Sequence, residues 1–314
     1  MSMAITFLLA AALNPSVVWV TEKTFFAGDV AFSPDARLLA YTKSEAPFPS
    51  IWLREVNGAS RQIVSSQQGG RRIAFAPDGK SIYFIQPDTA HTWVNLLYQL
   101  SLDGGAPRKL KEHVDTGLTF SPDGRQFAFL RHPGGNRREL IAANISDGHE
   151  RKIAAWDIEP GPLSDPVWSP QGDEIACVSS ANLSFVSVRT GARRTVRSPA
   201  PLTVLAWPAQ DGGLYALSGD GRPPSVIRPR LYQLLRFSVN DGQWSQVDGA
   251  GAGYMGGQLA ISPDGSIVAA AMYRSASTSS LLSLLDWIGL PTLYYTDLAL
   301  VRRLDSRTTK LGGK

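Results

Sequence analysis

The sequence predicts an all-β fold, a six-bladed β-propeller of four-stranded antiparallel blades. Three observations predict it. First, one motif returns six times. It reads AFSPDARLLAYT from Ala31, AFAPDGKSIYFI from Ala74, TFSPDGRQFAFL from Thr119, VWSPQGDEIACV from Val167, a form stretched by two residues from Ala206, and AISPDGSIVAAA from Ala260. Its prolines, Pro34, Pro77, Pro122, Pro170, Pro208 and Pro263, stand 43, 45, 48, 38 and 55 residues apart. Second, each repeat carries another turn in its latter half: Asn57-Gly58, Asp103-Gly104, Asp147-Gly148, Thr190-Gly191, Asp241-Gly242 and Asp305-Ser306. Third, 29 Gly and 21 Pro among 314 residues, with 43% hydrophobic but only 18% charged residues, suit a compact, turn-rich chain and not a disordered or helical one. Four short strands in a unit of this period mark a propeller blade, which buries its faces only by stacking on neighbours.

Taken in order, residues 1–14 form an apolar N-terminal segment and residues 15–314 the propeller, with blades near 28–69, 70–115, 116–162, 163–203, 204–256 and 257–314. The apolar run Ile5–Leu13 is well short of the roughly 20 residues that span a bilayer. It reads as a signal-peptide core with small residues at Ala10–Ala12, although no Lys or Arg precedes it, or as the tail of a truncated membrane segment, or as a strand. Within each repeat, strand A (Val30-Ala31-Phe32 in the first) enters a Ser-Pro-Asp-Gly turn. There Pro presets φ, Asp bonds back to the backbone and Gly accepts positive φ. Strand B follows at once, as in Leu38–Thr42 or Phe127–Leu130. Strand C alternates, as in Ile51-Trp52-Leu53 and Leu97–Leu100, and enters the second turn. Strand D is marked by an apolar residue six positions past that turn's first residue (Ile63, Ile153, Val196, Val247, Leu311), or seven in the second repeat (Leu110). Val20 precedes Pro34 by 14 residues, as Ile63 precedes Pro77, so Val17–Thr21 also occupies a D-strand position. Either this segment zips into the last blade, which removes free edges, or the chain is cut from a longer array.

The same residues carry a resemblance. The pattern of an apolar residue, Ser-Pro-Asp-Gly and an apolar strand, followed by a Tyr- or Trp-containing strand and Asp-Gly, resembles the TolB-like, WD-repeat-like (PD-motif) bacterial propellers; the stretch from Asp165 to Val178 is the closest single match. The resemblance covers residues 17–314. It implies the fold and a bacterial envelope or signalling setting. Such blades also form sensor domains behind kinases and winged-helix regulators, and the propeller domains of prolyl-oligopeptidase-like peptidases.

Little in the sequence points to catalysis. The four histidines, His91, His113, His132 and His149, lie in different regions without metal-binding spacing. No G-x-S-x-G elbow or phosphate-binding loop is present. Cys177 sits in mid-strand B and reads as a small packed residue. Asp35, Asp78, Asp123 and Asp264 read as caps of their own turns. No cofactor and no metal is expected. The net charge of +4 is spread without a run of five like charges, so nucleic acid is not an expected partner.

Topology supplies the lead. The stereotyped A–B and C–D turns share one face, and the variable B–C and D–A connections gather on the other, the usual place for binding. The candidate binding residues there are His91, Trp93, Arg131, His132, Arg137, Arg138, Trp156, Asp157, Arg222, Arg228, Arg230 and Trp287. A basic, aromatic-dotted rim suits a protein or an acidic small ligand. The long apolar connection 272–292 reads as a short helix over the channel mouth, or as a segment that docks a partner or membrane, 279–290 being its most apolar part. The expected function is a non-catalytic, monomeric, protein- or ligand-binding sensor or scaffold, periplasmic or otherwise exported. A cytoplasmic protein, or a propeller enzyme or enzyme-associated domain acting on glycans or peptides, is the competing reading.

Overall fold

The computed structural model describes residues 17–19, 26–157, 164–179, 182–209, 212–219, 232–247, 254–275, 294–302 and 308–310. Regular structure among them is entirely β. An N-terminal strand, β1 (Val17–Trp19), precedes the first repeat, which supplies β2 (Phe26–Phe32), β3 (Leu38–Lys43), β4 (Ser50–Glu55) and β5 (Ser60–Val64). The second repeat supplies β6 (Arg71–Phe75), β7 (Ser81–Pro87), β8 (Asn95–Ser101) and β9 (Arg108–Glu112). The third supplies β10 (Thr119–Phe120), β11 (Gln126–Arg131), β12 (Arg137–Asn144) and β13 (Glu150–Asp157). The fourth supplies β14 (Val167–Trp168), β15 (Glu174–Ser179), β16 (Asn182–Ser187) and β17 (Arg193–Arg197). The fifth gives β18 (Leu202–Ala206), β19 (Gly213–Gly219), β20 (Tyr232–Ser238) and β21 (Trp244–Val247). The sixth gives β22 (Tyr254–Ile261), β23 (Ile267–Ser275), β24 (Tyr294–Arg302) and β25 (Thr308–Lys310).

The first four repeats are separate four-stranded antiparallel blades in sequence order. The last two differ from the expectation of separate blades: they share one nine-stranded sheet, so the hydrogen-bonded sheets number five among the described residues, not six. The joint is a single pair, Tyr232 opposite Tyr254, which ties strand C of the fifth repeat to strand A of the sixth. Strand β1 pairs with β24, while β25 pairs with β21 of the fifth repeat.

The turn motif folds as its chemistry requires. In the first repeat the Ser33 hydroxyl donates to Asp35 at 2.6 Å and accepts from the Leu38 N–H at 2.9 Å, and the Arg37 N–H donates to the same carboxylate at 3.1 Å. Ser121–Asp123 and Ser262–Asp264 repeat the arrangement, and in each of the three turns the serine hydroxyl first, then the backbone N–H, lowers the carboxyl pKa. These turns also touch: Gly124 lies against Pro77 of the preceding turn, at a φ of 68° that suits glycine.

Strand B is covered on both sides, so Leu39–Thr42, Ile82–Ile85 and Phe127–Leu130 are buried without alternation. Their side chains meet in clusters between blades. One joins Ile51 and Leu53 to Phe75 and Phe84, the next joins Tyr83 and Ile85 to Phe127 and Phe129, and a third joins Leu130 and Leu140 to Trp168 and Cys177. Phe185 with Phe237, Leu217 with Val268, and Tyr41 with Ala269 continue the series until the sixth repeat packs on the first. Each fully buried aromatic or aliphatic side chain contributes roughly 1.5–3 kcal/mol, so the ring is held by its blade-to-blade cores. Burial pushes the Cys177 thiol up to about 12, as befits a packing residue.

Candidate functional site

Strand A of every repeat faces the axis. Together they line a central cavity of about 320 Å³, whose wall includes Ala31, Ala74, Thr119, Val167, Leu205 and Ala260. These six residues each stand three positions before their repeat's proline. Two positions further back, away from the Ser-Pro turn and toward the D–A connections, lie Asp29, Arg72, Gly117, Asp165, Thr203 and Gln258.

That end of the channel carries a charged clasp. The Arg72 guanidinium of the second repeat donates to the Asp165 carboxylate of the fourth. The Gly117 N–H of the intervening third repeat donates to the same carboxylate oxygen at 2.8 Å. A Cβ at Gly117 would stand 2.5 Å from an Asp165 oxygen, so any larger residue there would make the carboxylate shift. Arg72 itself has φ of 56°, a left-handed conformation uncommon outside glycine, next to a register irregularity of its strand pair. Asp29 of the first repeat completes the group. It is 8% exposed and accepts from the Thr42 hydroxyl at 3.3 Å, while its N–H donates to that hydroxyl at 3.2 Å. Burial pushes the Asp29 carboxyl up to about 6; the Arg72 N–H opposes this and the nearby Asp165 adds to it.

The sequence candidates fall around this mouth unequally. His91 and Trp93 share the β7–β8 connection, edge to face with ring centroids 5.4 Å apart, and Trp93 is 75% exposed. His91 lies 3.4 Å from Asp88, whose carboxyl pKa is lowered chiefly by the Ala90 N–H. His132 is exposed on the β11–β12 connection. Asp115, absent from the sequence candidates, ties these two loops together: it accepts from the Asn95 amide at 3.2 Å and the His132 N–H at 2.7 Å.

At the same end of the third blade, register places Arg137 opposite Asp157 and Arg138 opposite Trp156. Arg137 and Asp157 are exposed and Trp156 is half-buried, with the Arg193 guanidinium 5.6 Å above its ring. Two arginines depart from the expected free cations of a rim. Arg131 makes a bidentate pair with Glu150, both contacts at 2.8 Å, and also donates to the His113 carbonyl at 3.1 Å. Arg138 is only 4% exposed: it stands two and four positions before Leu140 and Ala142, on the face of β12 that shares a cluster with Trp168 and Cys177 of the fourth blade. The Arg131 guanidinium, with Lys111 at 2.9 Å, holds the Glu150 carboxyl down at about 2. Arg222, Arg228, Arg230 and Trp287, the 279–290 segment and the apolar run Ile5–Leu13 lie outside the described residues.

The clasp was missed because its signal is not a motif but a register: one position, five before each proline, read across six repeats. Asp29, Arg72 and Asp165 are the charged residues at that position.

A ring of four-stranded blades around a channel, with stereotyped turns on one face and a charged mouth on the other, defines a bacterial-type repeat propeller. The family model described as the TolB beta propeller domain matches residues 14–198, and the chain belongs to that family. Its fold is similar to TolB from Acinetobacter baumannii (TM-score 0.63, 15% identity, covering 88% of this chain and 66% of that one). A structure described as TolB from Agrobacterium tumefaciens is similar to the same degree (TM-score 0.64, 16% identity, 88% and 91% covered). In sequence, the uncharacterized peptidase YuxL of Bacillus subtilis (strain 168) is 27% identical over 200 residues, which are 61% of this chain and 27% of that protein. The chain therefore spans about a quarter of that relative's length.

Proposed function

We propose that the protein is a non-catalytic binding module that receives an extended polypeptide segment of mixed charge at the loop-face mouth of its channel. The observation that carries this reading is the clasp of Asp29, Arg72 and Asp165 at the end of an otherwise apolar bore. With two carboxyls and one guanidinium, the mouth presents charge of both signs to an incoming ligand. Acidic groups of the same segment would meet the exposed Arg137, and the exposed Trp93 offers contact area at the rim. An exported location, and a sensor or scaffold role there, belong to the same proposal.

The test is fluorescence-anisotropy titration with labelled acidic, basic and mixed-charge decapeptides. The mixed peptide should bind best. Arg137→Ala and Asp165→Asn should each weaken it by about tenfold, near the 1.4 kcal/mol of one charge-assisted contact. Equal affinities for all three peptides, or unaltered binding by both variants, would overturn the assignment.

One observation favours a second reading, a propeller that acts on glycans or peptides, or serves an enzyme that does. Asp29 and Asp165 are neighbouring carboxyls, one buried against Thr42 and the other held by Arg72, and a carboxyl pair at a channel mouth is the equipment of acid–base chemistry. Turnover of a peptide or oligosaccharide that Asp29→Asn abolishes, with the fold intact, would establish that reading.

A further inference from the structure

In the third, fourth and fifth repeats the C–D hairpins share one register. The residue four before the turn's first residue pairs with the residue three after it: Ala143 with Glu150, Val186 with Arg193, and Phe237 with Trp244. The sixth repeat has its turn at Asp305-Ser306 and its apolar marker at Leu311, in the same spacing as Asp147 and Ile153. The shared register would therefore pair Val301 with Thr308, Leu300 with Thr309 and Ala299 with Lys310. The structure instead pairs Val301 with Val17, Leu300 with Val18 and Ala299 with Trp19. The segments are residue-for-residue equivalents: three residues each, antiparallel to β24, over the same three partners. Strand β25 is displaced onto the outer strand of the fifth repeat, with Thr308 opposite Val247, Thr309 opposite Gln246 and Lys310 opposite Ser245.

We propose that β1 and β25 are interchangeable occupants of one slot on β24, so that the N-terminal strand can leave the propeller without opening the ring. Val-Val-Trp holds the slot over Thr-Thr-Lys because two β-branched apolar residues and an aromatic have the stronger strand preference and lack a charge. When β1 withdraws, β25 leaves β21 and closes the sixth repeat in the register of the third, fourth and fifth hairpins. Strand β1 is then released as a segment that a partner can take up by adding it to a sheet edge. The fifth repeat keeps its four strands throughout, since β25 is a surplus fifth strand on β21. No blade is left incomplete in either state.

The test uses the full chain with cysteine pairs as reporters. Thr309→Cys with Gln246→Cys reports the displaced position, and Thr309→Cys with Leu300→Cys reports the closed one. With the native N-terminus, mild oxidation should link the first pair and not the second. Introducing Val18→Pro, which removes a strand N–H, should reverse this: loss of the 309–246 link, gain of the 309–300 link, and retention of a single cooperative unfolding transition. An unchanged 309–246 link in the Val18→Pro protein, or splitting of its unfolding into two transitions, would overturn the exchange. If Val18→Pro fails to fold, the Val17→Thr, Val18→Thr, Trp19→Lys triple variant makes the competitors alike in sequence. Both links should then form in one preparation, and formation of the 309–246 link alone would overturn the proposal.

Discussion

Replacing Asp29 by Asn is expected to remove a pH dependence of stability that the wild-type protein carries between about pH 4 and 6. The folded carboxyl titrates at about 6 against an ordinary value of 3.8, because it is buried and lies near Asp165. A carboxyl raised on folding binds its proton more tightly in the native state. Its contribution therefore favours the fold below the unfolded value and is lost as pH rises through the folded one. Raising the carboxyl from its ordinary value to about 6 corresponds to roughly 2–2.5 kcal/mol of stability lost between pH 4 and pH 7. Asparagine keeps the shape and one carbonyl acceptor for the Thr42 hydroxyl, but its amide leaves a donor to be satisfied, at about 1–2 kcal/mol. That cost is the same at every pH, so the informative quantity is the difference between the two proteins. Urea unfolding at half-unit steps from pH 4 to pH 8 should show wild type ahead of the variant at pH 4, with the gap falling by roughly 2–2.5 kcal/mol toward neutrality. The lowered carboxyls, Glu150 above all, titrate below this window and are common to both chains, so they cancel. A difference curve flat to within about 0.5 kcal/mol would refute the reasoning, because it would mean that Asp29 ionises in the fold as it does in the open chain.

Two further outcomes follow from the blade edges. Glu150→Gln should destabilise the protein by about 1–2 kcal/mol at pH 7, allowing for the pair's partial solvent contact; the deficit should shrink as pH falls from 4.5 toward 2, since a lowered carboxyl's contribution is lost through its folded pKa, and a pH-independent deficit in urea melts would refute the ion-pair account. Gly191→Ala and Gly242→Ala form a matched pair: both sit at left-handed φ (72° and 69°), but a methyl at 191 runs into the Ile153 carbonyl whereas one at 242 meets nothing within 4 Å. The second change should cost about 1 kcal/mol and the first at least 1 kcal/mol more, and equal denaturation midpoints would show that the blade contact yields freely.

How far the sequence discloses the molecule depends on how local the determining interaction is. The Ser33–Asp35 and Ser121–Asp123 caps act over two residues, so the turn could be read from four letters and its carboxylate assigned to the turn itself. The face on which Trp93, His132, Arg137 and Asp157 gather was legible too, because tight turns at one end of each hairpin force the longer connections to the other. The fate of the arginines was not. Arg131 and Glu150 are 19 residues apart on different strands, and Arg138 is buried by the packing of the fourth blade, so neither follows from the composition of its own loop. The union of the last two repeats rests on one Tyr232–Tyr254 pair, which no periodicity encodes. The clasp is less legible still, since Arg72 and Asp165 stand 93 residues apart.

Yet that clasp also shows where a repeat fold keeps its individuality. Every repeat supplies one residue at the clasp position, and the turn and core pattern is indifferent to which side chain stands there. Turn caps and blade cores are satisfied within a repeat or against its neighbour, and they constrain other positions. Chemistry at the mouth is then set by the sequence Asp29, Arg72, Gly117, Asp165, Thr203, Gln258 read around the ring. The glycine is as much a part of it as the charges: a side chain at 117 would press on the Asp165 carboxylate that reaches Arg72. Three separate blades thus hold one polar group in common, each supplying what its neighbours lack: a guanidinium, a backbone N–H with open space above it, and a carboxylate. A site of this kind belongs to the closed ring and to no single blade, which ties whatever binds at the mouth to the integrity of the whole propeller.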